Sequence, residues 1–128
     1  MRLVRFVSIL VWALAVATMA SSGPALAHAI LMDSTPAANA ATVGPSVAFS
    51  FRYNSRIDKG RSKLVLTAPD KSQQTLPIDQ DGPEDVLTAK AELQPGNYSI
   101  RWQVLAIDGH ITRGDVPFQV TASQAAAP

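Results

Sequence analysis

Pro95-Gly96-Asn97-Tyr98-Ser99-Ile100-Arg101-Trp102-Gln103-Val104 alternates large apolar and polar side chains with a period of two. Tyr98, Ile100, Trp102 and Val104 share one side, and Ser99, Arg101 and Gln103 the other. That is the signature of a β-strand with one face buried and one face wet. Pro95-Gly96 ahead of it is a strong turn signal. Outward from this strand the same period recurs. Val47, Phe49, Phe51 and Tyr53 alternate with Ala48, Ser50 and Arg52. Ser55 to Ser62 is polar, carries Gly60 and reads as a loop, and Lys63 to Thr67 is rich in strand formers. Pro69-Asp70-Lys71-Ser72 is a turn, because proline presets φ and aspartate favours turn positions. A short strand near Gln74 to Ile78 follows, then a loop over Asp79 to Pro83. By propensity Val86 to Leu93 suits a helix or a strand. The alternation of Leu87, Ala89, Ala91 and Leu93 decides for a strand. Val116 to Thr121 is the last. Strands at roughly ten-residue spacing, divided by Pro, Gly and Asp turns, predict an all-β sandwich or small barrel.

The N-terminal stretch follows different rules. Arg2 and Arg5 are basic, Phe6 to Ala20 is almost wholly apolar, and Ala25-Leu26-Ala27 places small residues at a cleavage site. This is a secretory signal, expected to be cut after Ala27, and its apolar run is short of the roughly 20 residues a bilayer helix needs. Removing 27 of the 128 residues leaves 101, enough for one domain, expected over residues 28–122 with a short tail at 123–128. Losing Arg2 and Arg5 from 11 basic residues leaves 9 against 10 acidic ones, a net charge near −1. No basic face points to nucleic acid. The chain has no cysteine, so thiolate metal sites, disulfide exchange and cysteine nucleophiles are excluded. Apolar packing alone must hold the exported fold.

Two histidines remain, His28 and His110. After cleavage His28 is the first residue. Its α-amine, with a pKa of about 8, and its own Nδ1 can close a chelate ring on one metal ion. His110 lies in Ile107-Asp108-Gly109-His110-Ile111. In an extended segment Asp108 and His110, two residues apart, project to the same side, and Gly109 between them removes a side chain and permits a bend. The set offers three nitrogens and one oxygen, which as a square plane favours Cu(II) over the tetrahedral preference of Zn(II). Each residue also has an ordinary reading. His110 alone is a common surface residue, and Asp-Gly is a common hairpin turn.

The expected mature sequence resembles the CopC-type periplasmic copper-binding proteins over nearly all its length. The resemblance runs through His28-Ala29 with Ser34-Thr35-Pro36-Ala37, the strand Val47 to Phe51, and Leu93-Gln94-Pro95-Gly96-Asn97-Tyr98-Ser99-Ile100-Arg101-Trp102. It continues through Ala106-Ile107-Asp108-Gly109-His110, Gly114 and Phe118-Gln119-Val120. The family implies a seven-stranded Greek-key β-sandwich or barrel, Ig-like or cupredoxin-like. It also implies one Cu(II) held in the periplasm by His28, Asp108 and His110. By the same resemblance, the copper is delivered to an inner-membrane transporter of the CopD type or buffered in copper resistance. A monomer is the default.

Departures from the family pattern are visible. Where some members carry a further glutamate ligand after the first core strand, this chain has Tyr53 beside Asn54. Met32 is the one methionine after the signal, which argues against a separate Cu(I) site. Ile111 follows His110 where proline is common. Arg113 is a candidate partner for Asp115 or Asp108. Asp79, Asp81, Glu84 and Asp85 read as a solvated acidic loop, because Pro83 interrupts them and no EF-hand spacing is present. Tyr98 and Trp102 read as core. Two rival functions stay open: a histidine-brace copper oxygenase, and a metal-free β-sandwich that binds protein.

Overall fold

Strands that bury one face need a second apolar face to close on, and here two sheets supply it. The computed structural model describes residues 28–123, so the expected signal over residues 1–27 and the end of the tail lie outside it. Eight strands follow in order: β1 (Leu31–Thr35), β2 (Ala41–Val43), β3 (Ser46–Tyr53), β4 (Ile57–Thr67), β5 (Gln73–Leu76), β6 (Val86–Glu92), β7 (Gly96–Ala106) and β8 (Ile111–Thr121). One sheet has the order β1-β3-β6 and the other β2-β8-β7-β4-β5. Only β4–β5 and β7–β8 are joined within a sheet; every other connection crosses the sandwich.

The alternation read from the sequence is the alternation that packs. Val47, Phe49, Phe51 and Tyr53 on β3 are buried, as are Tyr98, Ile100, Trp102 and Val104 on β7. Aromatic pairs tie the two sheets. Phe49 meets Phe118 edge-on at 5.5 Å, and Tyr53 meets Trp102 edge-on at 5.4 Å. These are the favoured geometries of ring quadrupoles. Tyr98 stacks on Phe118, and its hydroxyl donates to the Gln94 carbonyl at 2.8 Å, which pins the Pro95-Gly96 turn from inside.

Three details differ from the sequence reading. The all-β sandwich stands, with eight strands among the described residues, close to the seven the family resemblance implied. The two not foreseen, β1 and β2, lie at sheet edges, and β1 buries too few side chains to print an apolar alternation. Secondly, Ser55 to Ser62 is a loop only in part, because β4 begins at Ile57. Asp58 pairs with Leu105 and the ladder resumes at Lys63 with Gln103, so five steps of β4 face two of β7. The surplus residues bulge out. Ser62 seals the bulge by donating to the Asp58 carbonyl at 2.6 Å and accepting the Leu105 N–H at 3.3 Å. A bulge breaks the period of two, which is why the segment looked irregular. Thirdly, β8 starts at Ile111, five residues before the expected strand at Val116, and pairs with β7 from Ile111 onward.

Gly114 explains why the start of β8 was illegible. It lies opposite Trp102, and a Cβ there would stand 2.4 Å from the indole Cζ2. The indole takes the room that a side chain would use. Gly114→Ala should therefore destabilise the fold by about 1–3 kcal/mol, the usual cost of overpacking. A urea midpoint equal to that of wild type would show that the ring gives way freely.

Candidate metal centre

The β7–β8 hairpin closes on the segment Ile107 to His110. Leu105 and Ile111 form its last ladder pair, and the Ala106 N–H donates to the His110 carbonyl at 2.8 Å. Gly109 has φ +90°, a left-handed conformation that glycine adopts at little cost, and its N–H returns to the Ala106 carbonyl at 2.9 Å. Asp108 and His110 thus sit on a turn and not on the extended segment the sequence suggested. Their closeness has a different cause. Asp108 Oδ1 accepts the His110 backbone N–H at 3.1 Å, an Asx turn, and Oδ2 lies 2.9 Å from His110 Nδ1. The Asp108 carboxyl is held below the usual carboxylate range. The backbone N–H of His110 is the main cause, then its ring, with lesser help from the charges of His110 and His28 against a small desolvation cost.

The N-terminal end of the described chain comes to this turn. Ala29 is 1% exposed and belongs to the core. Its carbonyl accepts from Thr112 Oγ1 at 2.9 Å, next to the hairpin on β8. Ile30 donates its N–H to Asn54 Oδ1 at 2.8 Å and accepts the Asn54 N–H at 3.0 Å. With residues 29 and 30 held, the His28 ring stands edge-on to the His110 ring, centroids 4.8 Å apart. The structure brings all three expected residues, His28, Asp108 and His110, to one end of the sandwich. Both rings are reachable from solvent. Thr112 was not singled out from sequence, and Asn54 was noted only as the neighbour of Tyr53, where some family members carry a glutamate ligand.

Other residues divide clearly. Among the described residues no ready-made group of three His, Cys, Asp or Glu side chains converges as a cage. In this form His110 Nδ1 is turned to Asp108, and the nitrogen of His28 belongs to the peptide bond with Ala27. Tyr53 is buried against Trp102, and burial pushes its phenol well above the ordinary range. Arg113 pairs with neither expected partner. Its Nε donates to Gln103 Oε1 at 2.8 Å, while Arg101 grips Asp115 through two bonds of 3.0 Å. Of the acidic group, Asp79, Asp81 and Glu84 are exposed, and Glu84 faces Arg56 at 3.5 Å.

Residues 31–121 match the family model described as the CopC domain. The chain belongs to the CopC family. Protein YobA of Escherichia coli K12 is 33% identical over 114 residues, covering 85% of this chain and 92% of that protein. The YobA of Shigella flexneri gives the same figures. Among solved structures, CopC from Methylosinus trichosporium OB3b superposes with a TM-score of 0.70 at 22% identity, over 78% of this chain and all of that one. PcoC of Escherichia coli, described as a methionine-rich copper resistance protein, gives 0.59 at 20% identity, over 74% of this chain and all of PcoC. At those identities the structural likeness establishes the fold. The CopC sandwich is therefore common ground, and the resemblance carried by the turn, the aromatic strand and the Asp-Gly-His segment holds. Against the methionine-rich relative, this CopC-family chain has three methionines, of which Met32 alone is among the described residues.

Proposed function

We propose that this CopC-family chain is a periplasmic Cu(II)-binding protein, exported by a leader cut after Ala27, that carries or buffers one copper ion per monomer. The observation that supports it best is the convergence of His28 on the Asp108–His110 pair, with the two rings 4.8 Å apart and the carboxylate 2.9 Å from His110. Two imidazoles, one carboxylate and the amine freed at His28 form a nitrogen-rich, oxygen-containing set suited to Cu(II). The hydrogen bond between Asp108 and His110 orders these two donors before the ion arrives, as outer contacts do at metal sites generally. Copper is cargo in this scheme, passed to an inner-membrane transporter of the CopD type or retained in copper resistance.

Binding fits better than catalysis. Every Phe, Tyr and Trp side chain among the described residues is buried, so these residues do not supply the exposed aromatic face that likeness to a histidine-brace oxygenase would imply.

The test uses the chain beginning at His28. Asp108→Ala and His110→Ala should each weaken Cu(II) binding at least about 10- to 100-fold, since even the loss of an outer contact costs that much. Competition against a chromophoric chelator measures it. Wild-type affinity in both variants would remove the site assignment.

A further inference from the structure

A ligand at the very end of a chain has a difficulty that an internal one lacks. Chain ends fray, and each free torsion must be frozen when the metal binds. The structure shows how His28 is spared this. Leu31 pairs with Tyr53 at the end of the β1–β3 ladder, and Ile30 and Asn54 continue that pairing by one position. Tyr53 is the last residue of β3, and the chain bends away at Asn54 and Ser55. A backbone rung is therefore incomplete on the β3 side. The Asn54 side-chain carbonyl replaces the missing backbone acceptor and takes the Ile30 N–H at 2.8 Å. One residue nearer the end, Ala29 is held at two points, by its buried methyl group and by its carbonyl on Thr112 Oγ1. Only the His28–Ala29 link separates His28 from this anchored residue.

We propose that Asn54 and Thr112 are positioning residues for the metal centre, a clamp on Ile30 and Ala29 that presents His28 to Asp108 and His110 with most of its freedom already removed. The inference rests on the copper-binding reading above and deepens it. Neither residue touches the ion. They act through residues 29 and 30, and loss of either loosens the end without removing a donor.

The experiment measures Cu(II) affinity and the EPR spectrum of the chain beginning at His28, loaded with one equivalent of copper. Asn54→Ala and Thr112→Val should each weaken binding about fivefold, the effect of one hydrogen bond. Each should also split a single Cu(II) signal into two, one with fewer nitrogen ligands. Thr112→Ser, which keeps the hydroxyl, should restore both affinity and spectrum. Thr121→Val is the control for a merely structural role. Its hydroxyl donates to the Thr42 carbonyl at 3.2 Å at the opposite end of β8, so its loss should leave copper binding unchanged. The proposal is overturned if Asn54→Ala and Thr112→Val keep wild-type affinity and a single signal while His28→Ala has lost copper. Should His28→Ala keep full affinity, the copper reading fails and takes the clamp with it.

Discussion

One extra glycine ahead of His28 is expected to weaken Cu(II) binding by more than about 100-fold relative to the chain that begins there. The addition leaves every side chain in place. What it removes is the α-amine, whose pKa of about 8 lets a metal displace its proton near neutrality, and with it the chelate ring closed through His28 Nδ1. Loss of a mere outer contact costs 10- to 100-fold, so loss of a donor that anchors a ring should exceed that range. The fold should be untouched, because Ala29 and Ile30 carry the anchoring contacts and His28 carries none of them. Unchanged thermal unfolding of the metal-free protein is thus part of the expected result. The uncut precursor should resemble the extended chain, which makes removal of the leader a step in building the site. Equal affinity in the two forms would contradict the proposed donor set.

The second large effect is on stability. Phe51 is fully buried on β3, the middle strand of its sheet, within the core that the two sheets share. Phe51→Ala should cost about 3–5 kcal/mol, from lost transfer energy and the cavity left behind. For a domain of this size that is a fall in Tm of roughly 15–30 °C. The chain has no cysteine, so no disulfide holds the unfolded state together and the loss should appear in full. Saturating Cu(II) should restore part of it, about 2.7 kcal/mol at a hundred times Kd, because the ion binds only the folded arrangement. Calorimetry with and without copper checks both numbers. A drop below about 1 kcal/mol would mean that the core closes over the gap.

Sequence legibility followed the strength of local pattern. β3 and β7 were readable because four large side chains on each alternate without interruption, and burial then follows directly from the period. β1 and β2 were not, since edge strands bury little and are defined by hydrogen bonds to a partner distant in sequence. The bulge in β4 and the glycine facing Trp102 in β8 hid real pairing behind broken alternation. At the candidate site, residue type and position pointed to His28, Asp108 and His110. Extended geometry was the wrong reason for joining the last two, because local hydrogen bonding in a turn joins them. Asn54 and Thr112 act through backbone atoms of residues 29 and 30, and side-chain chemistry alone does not reveal such contacts.

Ala29 has one more consequence. A donor at the first position of an exported chain is exposed to aminopeptidases, and removal of a single residue would destroy it. Such enzymes must draw the first peptide bond into an extended cleft. Here the residue after that bond has its methyl group sunk in the core and its carbonyl held by Thr112. With the leader cut after Ala27 as proposed, trimming would require the end to peel away first, so the packing that aims His28 in that scheme would also set its lifetime among proteases.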